Sequence, residues 1–418
     1  MLVRLMRYTL LLQVLVLLLA PIQTAAQPPG PQVLPEELEA LAPAACDPDG
    51  VQASGAVYRI CMPPETLWNG DLVLYAHGYV RPTEPVGIPE DQMILPGTGL
   101  SVSDIVTTLG YGFATTSYST NGLAVRQGQD DLADLVDIFV KEKGAPGKVY
   151  LVGVSEGGLI TALAVEDQPQ VFDGGLAMCG PYGDFASQIN FMGDMRAIFD
   201  YFFPGLIPGS AVEIPEWLVT GWDAYYAASV LPELQKPANA GKVNQLLQVT
   251  QTPYDPSQPG AREEAIYDLL SYNVEGTNDA KLKLGGQPFD NVARVYAGSA
   301  DDARLNREVQ RYAADLAALA EIEAGYQASG ELEAPLVTLH TTGDHVVPIW
   351  HATGYRAKTI AADNIALHEG RTVDRYGHCY FEATEVLAAF NRLVAMVADP
   401  PPYRPVQRFF LPLLVRAD

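Results

Sequence analysis

The feature that most constrains this chain is Gly153-Val154-Ser155-Glu156-Gly157-Gly158, set between an apolar run and a helical pattern. Lys148-Val-Tyr-Leu-Val152 before it reads as a buried strand, and Gly157 to Val165 after it reads as a helix. A turn that passes from strand straight into helix holds the serine at its apex in a strained conformation. Side chains in place of the flanking glycines would strike nearby backbone. The hydroxyl then stands above the sheet edge, and the helix N-terminus behind it offers an unpaired N–H to a developing negative charge.

The surrounding pattern supplies the sheet that such a turn needs. Asp71-Leu-Val-Leu-Tyr-Ala76 is a short apolar run ending in His77-Gly78, and Gly112 to Tyr118 is a second one. Val125 to Lys143 carries Leu132, Leu135, Val136 and Phe139 at helical spacing, and Phe172 to Met178 reads as a fourth strand. Alternating strands and helices predict an α/β fold, a mostly parallel sheet flanked by helices. The alternation stops near Pro181 and resumes at Pro335, where Leu336 to His340 is strand-like again. The residues between are mostly helical in pattern and too many for a structureless loop, so they predict a large, mainly helical cap insertion. Ile349 to Ile360 then reads as a helix, Asn364 to Val373 contains a last strand, and Glu382 to Val397 is a closing helix. The expected organisation is a leader at 1–26, core at 27–180, cap at 181–334, core again at 335–398 and a Pro-rich tail at 399–418.

In motif and element order, residues 50–180 and 335–398 resemble the α/β-hydrolase superfamily. The resemblance implies a nucleophile at Ser155, followed along the chain by an acid and then a histidine. Asp344, in Thr342-Gly343-Asp344 after the resumed strand, fits the acid; His378, in Tyr376-Gly377-His378 after the last strand, fits the base. A serine hydroxyl is a weak nucleophile until an imidazole takes its proton, and a carboxylate fixes that imidazole's tautomer. By the same resemblance the oxyanion hole is formed by the backbone N–H groups of Tyr79 and Glu156. Asp301 and Asp302 are rival acids but precede the strand that should lead to the acid. His345 adjoins Asp344 in sequence and cannot fold back onto it well, while His351 and His368 are expected to be ordinary surface or core residues; His340, His345 and His351 give only a weak metal reading. A glycine-richer loop would suit proline-specific aminopeptidases, and His77-Gly78-Tyr79-Val80 departs from it.

Arg4 and Arg7, an apolar run from Leu10 to Ala20 and Thr24-Ala25-Ala26 predict a secretory leader, an uncleaved anchor being the rival reading. The apolar run is short for a bilayer span, so no stable membrane insertion is expected after cleavage. Without Arg4 and Arg7 the 26 basic residues become 24, against 50 acidic ones. That balance lacks the clustered cations that nucleic acid requires. In an oxidising compartment Cys46 and Cys61 are the natural disulfide pair, with Cys179 and Cys379 as the competing one. There is no C-x-x-C repeat and no His-Glu-x-x-His, so neither a metal nor another cofactor is expected.

These residues predict an exported serine hydrolase acting on a small or oligomeric carboxylic ester, with oligomeric state left open. An aminopeptidase or oligopeptidase is the rival, with Glu213 or Glu216 in the cap as grips for a substrate amine. A non-catalytic binding protein on the same scaffold is a third reading. The cap aromatics Phe191, Phe199, Tyr201, Phe202, Phe203, Trp217, Trp222, Tyr225 and Tyr226 are expected to form mostly cap core, with some lining the cleft.

Overall fold

The computed structural model describes residues 44–95 and 99–400. The predicted leader, residues 27–43 of the first core segment and all but the start of the C-terminal tail lie outside the described residues. The first strands are β1 (Ala45–Cys46), β2 (Gly50–Val51) and β3 (Val57–Met62). The central ones are β4 (Leu72–Ala76), β5 (Gly112–Thr116), β6 (Val149–Val154) and β7 (Gly174–Met178). The last two are β8 (Leu336–Gly343) and β9 (His368–Tyr376). Together they form one sheet in the order β1-β3-β5-β4-β6-β7-β8-β9, with β2 also paired to β3. From β5 to β9 all neighbours run parallel, while β3 pairs antiparallel with β1, β2 and β5.

The sheet stays inside because its strands are apolar on both faces. Every residue of β4, β5 and β7 is buried. Helices α1 (Val102–Thr108), α2 (Val125–Lys143) and α3 (Glu156–Asp167) lie on the connections between the early strands. One face is covered by α2 and α3, through Leu132, Leu135, Phe139, Ile160 and Leu163. The closing helix buries Leu393 and Met396 against Val73, Tyr150 and Leu176 on the other face. Each fully buried side chain of this kind contributes roughly 1.5–3 kcal/mol of transfer free energy.

The antiparallel edge β1–β3 was not legible as strand, because Arg59 interrupts its apolar run. The structure turns Arg59 outward, where it pairs with Asp49 at 2.8 Å and Glu90 at 2.7 Å. Cys46 lies directly opposite Cys61 in the β1–β3 ladder, and the two are disulfide-bonded. Cys179 and Cys379 form a second disulfide, so the two candidate pairs do not compete.

Between β7 and β8 lie seven helices among the described residues. They are α4 (Phe185–Phe202), α5 (Glu216–Tyr225), α6 (Leu231–Leu234), α7 (Ala240–Thr250), α8 (Ala261–Lys283), α9 (Asp302–Glu308) and α10 (Leu316–Gly325). A π-helical turn, Tyr226–Val230, joins α5 to α6. This insertion owns a hydrophobic core built on Phe199, Trp222, Leu246, Leu269 and Leu270. Phe185 and Ile322, near its two ends, instead join the core beneath the sheet. After β8 come α11 (Trp350–Ala361) and, after β9, α12 (Ala383–Ala398). Asp301 and Asp302 sit on the insertion, capping α9 and the turn before it, through Arg304 N–H at 2.9 Å and Ser299 N–H at 2.7 Å.

Candidate active site

Ser155 directly follows β6 and caps α3 with φ 57° and ψ −119°, a conformation that strains an L-residue. The glycines around it are sterically required. A Cβ on Gly153 would lie 2.0 Å from the Gly157 carbonyl oxygen, and one on Gly157 would lie 2.0 Å from that of Ala76. The elbow therefore closes directly on the neighbouring strand β4.

Three side chains from distant parts of the chain meet above this elbow. His378 Nε2 lies 2.9 Å from Ser155 Oγ, and His378 Nδ1 lies 2.8 Å from Asp344 Oδ2. The second oxygen of Asp344 accepts the N–H groups of Val346 and Val347, both at 2.9 Å, and the carboxylate is fully buried. With Nδ1 facing a carboxylate, the neutral ring carries its proton there and leaves Nε2 as the acceptor for the serine hydroxyl. A fourth group, which the sequence offered only as a weak metal ligand with His345 and His351, lies beside Asp344. His340 packs 3.8 Å from Asp344 Oδ2, but its Nε2 is engaged by the Val347 carbonyl at 2.7 Å. Burial lowers its pKa, which keeps this second ring neutral beside the acid.

On the other side of Ser155, Gly78 approaches so closely that a Cβ there would sit 3.2 Å from Ser155 Cβ. Gln92 grips this peptide, accepting Gly78 N–H at 2.7 Å and donating to the Tyr79 carbonyl at 3.1 Å. The Gly78–Tyr79 backbone is thus held beside the serine. Glu156 N–H, in the first turn of α3, has no intrahelical acceptor. The Glu156 side chain does not point to solvent as a first-turn acid would. It is buried, accepts Ala124 N–H at 2.9 Å, and burial pushes its pKa up to about 8.

A cleft enclosing about 900 Å³, its open mouth included, opens over Ser155 between α4 and α8. Its aromatic wall is Tyr79, Phe185, Tyr272 and Phe289, joined by Ile189, Met192, Val346 and Val347. None of the nine cap aromatics singled out in the sequence is among these lining residues. Phe199, Phe203, Trp222 and Tyr226 are buried in the cap's own core, and Trp217 faces outward. Glu213 and Glu216 are also exposed and outside the cleft, and Glu156 is the one acid along its described lining.

Three other histidines are separately engaged. His345 Nε2 meets Asp268 at 2.6 Å, His351 Nε2 meets Gln188 at 2.8 Å, and His368 Nε2 meets Thr338 at 3.0 Å. Cys179, His378 and Cys379 bring three ligand-type atoms within 4.8 Å, but the two sulfurs are bonded to each other. Among the described residues no helix is long and apolar enough to cross a membrane.

A family model described as the alpha/beta hydrolase fold matches residues 108–382. No curated protein matches the chain. Among solved structures, an esterase of Pyrococcus furiosus aligns with 90% of this chain and 97% of its own, at 10% identity and a TM-score of 0.43. A monoacylglycerol lipase of Paleococcus ferrophilus aligns over 82% and 98%, at 12% identity and a TM-score of 0.37. An acylaminoacyl peptidase of Pyrococcus horikoshii aligns over 86% of this chain at 11% identity and a TM-score of 0.39. The chain spans only 41% of that peptidase's length. With its strand order, its strained serine turn and the family match over 108–382, the chain belongs to the alpha/beta hydrolase fold family.

Proposed function

We propose that this chain is an exported serine hydrolase that cleaves carboxylic esters through an acyl-enzyme. The observation that carries the reading is the continuous 2.9 Å and 2.8 Å contact from Ser155 Oγ through His378 to buried Asp344. As Ser155 Oγ attacks the ester carbonyl, its proton passes to His378 Nε2, and Asp344 stabilises the imidazolium. The N–H groups of Tyr79 and Glu156 receive the oxyanion. His378 then protonates the departing alkoxide and deprotonates the water that releases the acid.

An ester fits the cleft better than a peptide with a free amine. Such an amine needs an ionised carboxylate, and Glu156, the acid along the described lining, is held largely protonated near pH 7 by burial. Export is supported by the Arg4, Arg7 and Leu10–Ala20 pattern together with two disulfides, which persist in oxidising compartments. The test is turnover of p-nitrophenyl esters against amino-acid p-nitroanilides, with a fluorophosphonate probe mapped by peptide sequencing. Ester turnover with the label on Ser155 is expected. Faster anilide turnover would move the protein to the peptidases, and a label elsewhere would remove Ser155.

A further inference from the structure

Helix α8 carries a glycine that its own packing does not require. Gly276 lies in the interior of the 23-residue helix, where glycine lowers helix stability relative to alanine. A Cβ built there meets one atom within 4 Å, Tyr79 Oη at 3.4 Å, which is ordinary contact. Gly193, across the cleft on α4, is different: its Cβ would lie 2.4 Å from the Phe289 ring, so packing alone demands glycine. Two other helical glycines, Gly221 and Gly241, are also unhindered, but neither lines the cleft. Gly276 does line it, and so does Ala280 one turn further along the same face. The bare strip of α8 therefore opens onto the cleft that holds Ser155, and any side chain longer than a methyl at 276 would project into that space.

From this we infer that Gly276 sets how long a substrate the cleft admits, and that the group lying across it is a neutral hydrocarbon chain well beyond acetyl length. The inference rests on the ester-hydrolase reading of the same cleft. Neutrality follows from the walls: among the described lining residues there is no Lys, Arg, His or Asp, and the one Glu, Glu156, is buried with its carboxyl turned to Ala124 N–H. A charged chain would lose its hydration there with no partner to replace it. A hydrocarbon chain gains from the apolar faces of Phe185, Ile189 and Met192 opposite α8. The chain could belong to the acyl or to the alcohol half of the ester, and both halves would present the same chemistry to Gly276.

The experiment compares kcat/KM for p-nitrophenyl acetate and octanoate, and for ethyl and octyl acetate, in the wild type, Gly276→Ala and Gly276→Leu. The wild type should prefer the longer ester in at least one series by about tenfold or more, several methylenes each adding to binding. Gly276→Leu should cut that long-to-short ratio by about tenfold or more, and Gly276→Ala should cut it less. The series that responds identifies the half bound over α8. A lost helix glycine acting only through stability would move both substrates together and leave the ratio unchanged. Gly276→Ala should keep or raise the melting temperature, so it preserves the test if the leucine variant does not fold. A wild type that favours the short ester in both series, or variants with an unchanged ratio, would overturn the inference while leaving the hydrolase reading intact. Absence of turnover on every ester, with Ser155 unlabelled, would overturn the hydrolase reading and this inference together.

Discussion

The sulfur of Cys379 lies 3.4 Å from His378 Nε2, the ring atom that faces Ser155 Oγ. Its disulfide to Cys179 ties the histidine loop to the residue that follows β7, across a sequence separation of 200. Both cysteines hold positive φ, 45° at Cys179 and 57° at Cys379, so this cross-link joins two strained backbones beside the nucleophile.

Reducing that bond should loosen the histidine before it unfolds the sheet. In Cys179→Ser/Cys379→Ser we expect kcat to fall by about tenfold or more, as small misplacement of a base is costly. The melting temperature should fall as well, since closing so long a loop contributes on the order of 3–5 kcal/mol in the chain-entropy model. Turnover is measured with and without a thiol reductant, with free thiols counted by mass spectrometry. Wild-type kcat in protein reduced at both positions would show that the bond does not position His378.

The carboxylate at 344 should matter far more than those at 301 and 302. Asp344→Asn keeps the shape but loses the charge facing His378 Nδ1, and should lower kcat by roughly 10³–10⁴-fold. Asp302→Asn changes a turn on the insertion and should leave kcat within about threefold, a surface-type effect. Ser155→Ala should reduce turnover by about 10⁴-fold or more without loss of folding. Circular dichroism alongside the kinetics separates chemistry from folding, and a reversed ranking of the two aspartates would reassign the acid.

Stability should fall as pH rises through neutrality. Burial raises the Glu156 pKa to about 8, from 4.5 in the unfolded chain. Between those values the folded state holds a proton that the unfolded state has released. That stabilisation is complete below pH 4.5 and is lost as pH climbs to about 8. The buried histidines His77 and His368, pushed down to about 4 by burial, act oppositely and only below their unfolded value of 6.5. From pH 7 to 8 the falling slope is shared by groups whose pKa is raised on folding, Glu156, Glu275 at about 7 and His345, and Glu156 accounts for no more than ~1.4 kcal/mol per pH unit of it. Glu156→Gln, whose amide oxygen can still accept Ala124 N–H, should make the fall in melting temperature across that interval shallower. An equally steep decline in the variant would mean that Glu156 is ionised when folded.

Gly157→Ala offers a purely steric test of the elbow. Its Cβ would fall 2.0 Å from the Ala76 carbonyl oxygen and 2.5 Å from that of His77, both main-chain atoms of the adjoining segment. A loss of more than about 3 kcal/mol in denaturant unfolding is expected, the range reserved for forced backbone displacement. A stable, active Gly157→Ala protein would show that β4 can yield.

Parts of this architecture were legible because a single physical pattern determined them. Val125–Lys143 was read with the bounds observed, since its apolar face repeats with the helical period and Gly144 ends it. Ser155, Asp344 and His378 were legible because each follows a strand in a chain order that the fold family repeats, and the structure brings all three together. The cleft wall was not. Helical periodicity reveals that cap helices such as α4, α5 and α8 have apolar positions, but not whether these meet the cap's interior or Ser155. Phe199 and Trp222 went to the former, while Phe185 and Tyr272 reached the latter. The burial of the Glu156 side chain was not legible for a related reason. An acid in the first turn of a helix reads as solvated, and only the packing of the 119–124 loop buries it.

The helical insertion leaves the sheet after β7 and rejoins it at β8, and those two strands are immediate parallel neighbours. Its two ends therefore need bridge only one strand spacing, ~5 Å, and a crossover of about a dozen residues would close the same gap. The ladder places no upper bound on what is threaded through that position. Ser155, Asp344 and His378 all lie outside the inserted segment, which touches their loops through single contacts such as Gln188 to the Val346 carbonyl. The helices that wall the cleft and the three side chains that meet above the elbow are accordingly carried by separate stretches of the chain, so a change of length in one leaves the sequence order of the other intact.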